Sequence, residues 1–209
     1  MDAVTALGYL RLGAADLGSW RDFATSVIGL QPGDGAASEL GDGSLYLKQD
    51  DRSYRVAVDR SDDPSVTFGW EVPNRVAMEA VAGRLDALGI TVKDGTAEEA
   101  EQRLVTRVML CTDPAGNACE IFYGAKHDNS AFVSPTGARF VTGDMGLGHA
   151  FVIVPDGAAF GEFYMDGLGF RVSDYIQLGQ REATFLHCNP RHHTLAFVES
   201  AGVSALNHF

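Results

Sequence analysis

Gly8-Tyr9-Leu10 … Trp20 … Phe23 … Ile28-Gly29-Leu30 aligns without gaps on Gly148-His149-Ala150 … Phe160 … Phe163 … Leu168-Gly169-Phe170, 140 residues further along the chain. A segment that returns at a fixed offset is one structural unit used more than once. One position changes character: Tyr9 in the first copy stands where His149 stands in the second. The scaffold itself does not demand a histidine there, so His149 is a candidate for chemistry.

Working outward, each unit reads β-α-β-β-β. In unit one, Leu7–Leu12 alternates as a strand, and Asp16 can cap a helix with Leu17, Trp20, Phe23 and Val27 on one apolar stripe. Gly29 stops that helix, and strands follow at Ser44–Lys48 and Tyr54–Val58. Unit two begins at Val66–Val72, with Asn74 capping a helix through Leu88. Strands follow at Val105–Leu110 and Ala118–Tyr123, joined by the turn Asp113-Pro114-Ala115-Gly116-Asn117.

Residues 126–144 are rich in Ser, Gly, Pro and Asn and read as a linker. Unit three has its helix near Ala158–Gly167 and strands near Arg171–Ile176, Ala183–His187 and Thr194–Val198. Unit four opens at Val203–Phe209, where the sequence ends inside a first strand. Units one and two each take roughly 60 residues, so the expectation is a chain cut short at its C-terminus. The predicted class is α+β: tandem βαβββ modules in two paired-module domains, 1–125 and 145–209, the second incomplete.

Composition narrows the function. Hydrophobic residues make up 45% of the 209 residues and charged residues 21%, as in globular proteins. The formal net charge of −12 argues against nucleic acid and anionic membranes, which need a basic footprint. No signal peptide or membrane-length apolar run is evident, so the expected location is the cytoplasm. Cys111, Cys119 and Cys188 lack CxxC spacing and read as reduced thiols, Cys119 buried in an apolar run.

Six histidines remain to be placed. His208, in Leu206-Asn207-His208-Phe209, parallels His149: unit two has Phe68-Gly69-Trp70 there, which puts Trp70 in the slot of His208. Two imidazoles from facing first strands, with one carboxylate, make the facial triad of non-haem Fe(II) sites. The bland alternative is a pair of core histidines bonded to backbone. His192-His193 read as neighbours on a strand, so only one can point inward, as an acid/base. His187 could share a face with His193 unless Asn189-Pro190 breaks the register, and His127 reads as an exposed linker residue.

The runs Gly146–His149, Phe185–Phe197 (with Asn189-Pro190-Arg191-His192-His193-Thr194) and Leu206–Phe209 resemble the type I extradiol ring-cleaving dioxygenases. The nearest kind is the two-domain 2,3-dihydroxybiphenyl 1,2-dioxygenase group, with the vicinal oxygen chelate (glyoxalase-like) fold. The linker runs Val133–Gly137 and Phe140–Gly143 and the turn Asp113–Asn117 are similar to that group too.

The resemblance implies that His149 and His208 ligate Fe(II), or Mn(II) in some members, and that His193 is the catalytic acid/base. It implies a third ligand, a glutamate on the last strand of unit four, which this sequence lacks. It also implies a metal-free front half, with Tyr9, Trp70 and Phe122 in the lost ligand slots. The activity implied is cleavage of a catechol by O2 next to its diol, with 2,3-dihydroxybiphenyl or a similar polycyclic diol as substrate. Phe151, Phe185 and His192 are then candidate substrate contacts, and a homo-oligomer is implied for the full-length form. The alternative is a catalytically incompetent fragment or an aromatic-ligand-binding module of the same fold. A glyoxalase-like isomerase or epoxide-opening transferase fits less well, because it does not explain His192-His193-Thr194.

Overall fold

In the computed structural model, residues 3–33, 37 and 40–209 are described. The front half forms one sheet from β1 (Ala6–Ala14), β2 (Gln31–Pro32), β3 (Leu45–Lys48), β4 (Val56–Arg60), β5 (Val66–Glu71), β6 (Lys93–Asp94), β7 (Arg107–Thr112) and β8 (Ala118–Tyr123). Its order is β2-β3-β4-β1-β5-β8-β7-β6. The back half forms a smaller sheet from β9 (Ala150–Val154), β10 (Arg171–Leu178), β11 (Arg181–His187), β12 (Leu195–Glu199) and β13 (Ala205–His208), ordered β10-β11-β12-β9-β13.

The two sheets are wired alike. β1 runs parallel to β4 and antiparallel to β5; β9 runs parallel to β12 and antiparallel to β13. The repeat seen in the sequence is therefore a repeat of topology, and the α+β class holds.

The helices begin where short polar side chains can take up free backbone N–H groups. Asp16 caps α1 (Leu17–Phe23) by accepting from the Gly18 and Ser19 amides. Asn74 caps α2 (Arg75–Ala87) by accepting from Ala77. A helix missed in the sequence, α3 (Ala97–Gln102), carries the legible signature Thr96-Ala97-Glu98-Glu99, which folds as a capping box. Asp156 caps α4 (Gly157–Glu162). Both repeated helices continue into one wide π-helical turn, Ala24–Ile28 after α1 and Phe163–Gly167 after α4.

The predicted apolar stripe of α1 is not covered along its length. Ala24 is fully buried, but Phe23 is 48% exposed and Val27 68%. Leu17, Trp20 and Ile28 are partly buried against the core, and Phe23 borders an open cavity instead.

One large core joins the halves. Leu7, Leu10, Trp70, Met78, Val81 and Leu85 pack in the same cluster as Phe160, Phe163, Tyr164 and Phe170. Trp70 meets Tyr164 and Phe170 edge-on, with ring centroids 5.5 and 5.2 Å apart. Polar bonds cross beside it: Tyr164 Oη donates to Asp113 Oδ2 at 3.1 Å, and Arg84 Nε donates to the Gly167 carbonyl at 2.9 Å.

Trp70 does not occupy the slot of His208. In the front sheet the extra residue of a β-bulge is Gly8, on β1, between the pairs Leu7–Trp70 and Tyr9–Gly69. Trp70 therefore stays beside Phe68, in the core that faces the back half. In the back sheet the extra residue is Asn207, on β13, between the pairs Leu206–Val152 and His208–Phe151. A bulge re-aims the side chains beyond it, and His208 turns to stack on Phe151. Tyr9 and Phe122 do sit together, stacked at 4.7 Å in a second cluster with Tyr54.

Candidate functional site: a histidine pair at the first-strand junction

The site lies where β9 and β13 meet. His149 immediately precedes β9 rather than lying within it, and His208 is the last residue of β13. Their Nε2 atoms are 3.2 Å apart, and the rings are nearly perpendicular at 88°. Two nitrogen ligands held about 2.1 Å from one ion at right angles lie about 3 Å apart. The pair thus fits two adjacent positions of a first-row divalent metal. Among the described residues, no group of three or more His, Cys, Asp or Glu side chains is arranged to hold a metal. The described residues offer two donors of such a set, His149 and His208.

Burial, then the neighbouring His193 and His208, push the His149 pKa down to about 4. The same kind of desolvation, followed by the charge of His192, lowers His193. Both rings are therefore neutral at physiological pH. Neutral imidazole is the form that ligates a metal or accepts a proton.

Around the pair stands an aromatic wall. The His193 ring lies 4.5 Å from His149 and 5.0 Å from Phe185, centroid to centroid. Phe151 lies flat against His208, at 5.5 Å and 6°. Phe185 reaches to 6.5 Å from Phe151 and 6.2 Å from His192. The structure brings His149, His193, His208, Phe151, Phe185 and His192 into one cluster.

His192 and His193 depart from the sequence reading in one respect. They lie in a bend before β12, not on a strand, so the alternation of faces does not apply. Their rings are at 90°, and the two Nδ1 atoms are 3.1 Å apart, one donating to the other. His192 is exposed, with Asp174 Oδ2 at 3.9 Å from its Nε2. His187 is not part of the cluster: its Nδ1 pairs with Ser173 Oγ on β10. His127 is exposed beside Asp51, as its place in the linker suggested.

A cavity of about 860 Å3 reaches the same histidines from the other side. Leu12, Trp20, Phe23, Leu206 and Gln49 line it together with His149 and His208, but Phe151, Phe185 and His193 do not. The predicted substrate contacts thus face a different space from this groove. Gln49 had no sequence signal: it is a lone amide just after β3, before an acidic turn.

Among the described residues, the front half holds no comparable pair. Tyr9 donates to Glu120, which also accepts from Arg103 Nη2 at 2.7 Å and Nε at 3.0 Å. Burial first, then the charge of Glu120, raises the Tyr9 pKa well above its ordinary value. The phenol stays protonated as a donor, and the space is filled by side chains that satisfy one another.

Known proteins match both halves. The family profile described as "Dihydroxybiphenyl dioxygenase BphC D1" matches residues 7–60, and "Glyoxalase/Bleomycin resistance protein/Dioxygenase superfamily" matches residues 146–208. The iron-dependent extradiol dioxygenase of Rhodococcus jostii (strain RHA1) is 37% identical, covering 99% of this chain and 71% of that protein. The 3-methylcatechol 2,3-dioxygenase of Pseudomonas putida (strain F1) is 39% identical, covering 99% of this chain and 72% of its own length. The crystal structure of a halotolerant catechol dioxygenase superposes with a TM-score of 0.92 at 29% identity, over 100% of this chain and 70% of that one. The repeat of β-α-β-β-β units, the paired histidines and these matches agree: the chain belongs to the type I extradiol ring-cleaving dioxygenases of the vicinal oxygen chelate superfamily.

Proposed function

We propose that this chain carries part of the active site for O2-dependent extradiol cleavage of a catechol, with 2,3-dihydroxybiphenyl or a similar polycyclic diol as first choice of substrate. The observation that carries the reading is the convergence of His149 and His208, Nε2 to Nε2 at 3.2 Å, with His193 beside them. His149 and His208 would hold Fe(II), with Mn(II) as the second candidate. When bound, such an ion lowers the pKa of a coordinated phenol and brings diol and O2 to one centre.

The chain's own residues do the rest. His193, neutral at rest, is placed to accept the proton that a bound catechol must give up. Phe151 and Phe185 present aromatic faces on which the substrate ring can lie, and they exclude water from that side. His192, hydrogen-bonded to His193 through Nδ1, orients the acid/base and stands at the exposed rim. The diol is placed on this face rather than in the 860 Å3 groove, because His193 does not reach the groove.

The test is direct. The protein is loaded with Fe(II) without air, then given 2,3-dihydroxybiphenyl or 3-methylcatechol with O2. Oxygen uptake and a yellow ring-opened product, lost in His193→Ala, support the proposal. A second reading is an aromatic-ligand-binding module, favoured by the two-donor set among the described residues. Saturable catechol binding without oxygen uptake would select it. Oligomerisation and a cytoplasmic location belong to the same proposal; no helix among the described residues is long and apolar enough to cross a membrane.

A further inference from the structure

We infer that Gln49, from the front half, is a positioning residue for His149. The inference rests on the reading of His149 and His208 as the metal-binding pair. Gln49 Nε2 donates to the Leu147 carbonyl at 3.1 Å, across 98 residues of sequence. From the other side, the Leu147 N–H donates to the Leu7 carbonyl at 2.8 Å. Both backbone polar groups of Leu147, two residues before His149, are therefore held by the front half. Leu147 is only 7% exposed, so its carbonyl has little water to turn to if Gln49 lets go.

The flanking glycines show why a clamp is needed. Gly146 has φ +67° and Gly148 φ +154°, conformations that other residues rarely adopt. At Gly146 a Cβ would meet the Leu7 oxygen at 2.3 Å, so packing fixes that residue. At Gly148 no described atom beyond its chain neighbours lies within 4 Å of the Cβ position. The Cβ position of the second glycine faces open space, and the next backbone anchor is the Ala150 N–H, bonded to the Thr194 carbonyl at 3.1 Å. The His149 backbone hangs between the Leu147 clamp and the start of β9. Release of the clamp frees rotation at Gly148 and swings the imidazole away from His208.

Gln49 also lines the groove that His149 and His208 border, so the competing role is simple space-filling. Gln49→Glu separates the two, because it keeps the size and removes the donor. Gln49→Met, uncharged and of similar length, repeats the comparison if the glutamate variant does not fold.

The experiment has two arms on the 209-residue protein. In the first, amide hydrogen exchange of residues 147–150 is followed without metal. The expected result is about tenfold faster exchange in Gln49→Glu, confined to that segment; exchange equal to wild type overturns the clamp. In the second, Co(II) is titrated and followed by its visible absorption. Affinity is expected to fall about tenfold in Gln49→Met, which brings neither charge nor an oxygen ligand to the groove, as for outer-shell partners of metal-binding histidines. Equal affinity in wild type and Gln49→Met overturns the positioning role. If wild type and His149→Ala respond identically to Co(II), the metal reading of the pair fails, and the exchange arm still decides whether Gln49 holds Leu147.

Discussion

His149 and His208 bring their Nε2 atoms to 3.2 Å, although one stands before the first residue of β9 and the other ends β13, its antiparallel partner. Each is delivered by a local irregularity: Gly148 on one side and the Asn207 bulge on the other. The regular sheet supplies the frame, and two breaks in regularity supply the aim.

The pair predicts a separable metal-binding phenotype. His208 is exposed, so His208→Ala should leave the fold intact, with a thermal midpoint within about 2 °C of wild type. Loss of a direct ligand should weaken Co(II) or Fe(II) binding by more than the 10- to 100-fold typical of outer-shell changes. His149→Ala should do the same, and His187→Ala should not, since His187 is engaged with Ser173. Calorimetric titration of the three variants checks this. Equal binding in all of them would remove the metal assignment.

Much of this was legible in the residues, for identifiable reasons. Offset repetition exposed the unit boundaries, because Gly29 and Gly169, with φ of +88° and +85°, follow the same helix in two copies. Polar caps at Asp16 and Asn74 marked helix starts because they satisfy specific backbone N–H groups. The bulges were not legible. Phe68-Gly69-Trp70 and Leu206-Asn207-His208 look equivalent in one dimension, but the extra residue falls on opposite partners of the two strand pairs. A one-residue slip changes the face of every side chain beyond it. Trp70 was therefore assigned to the wrong side. Gln49 was silent because its partner, a backbone carbonyl 98 residues away, leaves no pattern in the sequence.

Glu120 should be a keystone of the front half. It is 3% exposed and accepts from Tyr9 and twice from Arg103. Glu120→Ala leaves a partly buried guanidinium and a buried phenol without this acceptor, a loss of up to about 3–5 kcal/mol. Tyr9→Phe removes one donor and leaves the ion pair, so its loss should be about 1–2 kcal/mol. Urea unfolding of both variants tests the order. A Tyr9→Phe effect larger than that of Glu120→Ala would contradict it.

Asp50 gives the protein an acid-dependent increment of stability. Its burial opposes ionisation, but hydrogen bonds from Arg55 Nη2 at 2.6 Å and Nε at 3.0 Å, and the Arg55 charge, outweigh it and lower the pKa. The folded state thus binds its proton less readily than the unfolded chain, whose carboxylate titrates near about 3.9. The increment is present above the unfolded pKa and is lost as pH falls through the folded value. Asp50→Asn should be less stable than wild type at pH 7. The gap should narrow below about pH 4 as the unfolded carboxylate takes up its proton. Urea midpoints measured from pH 7 to pH 3 on both proteins check the slope; a constant gap would rule out titration of Asp50 as its source.

Trp70 should tie the two halves into one unfolding unit. It is fully buried and meets Tyr164 and Phe170 of the back half edge-on. Trp70→Ala should cost about 3–5 kcal/mol, from lost transfer energy and the cavity left behind. The decisive measurement is a double-mutant cycle with Tyr164→Leu, which keeps an apolar side chain but removes the ring. Tyr164 also donates to Asp113 Oδ2, so Asp113→Asn serves as a control for that bond. Direct ring contact predicts a Trp70–Tyr164 coupling of about 0.5–1.5 kcal/mol. Coupling near zero would mean that the Trp70–Tyr164 ring contact contributes nothing across the junction, leaving Phe170 and the rest of the shared core to hold the halves. Unfolding followed separately by tryptophan fluorescence and far-ultraviolet dichroism gives an independent readout. Coincident transitions in wild type that split in Trp70→Ala are the result that ring contact across the junction requires.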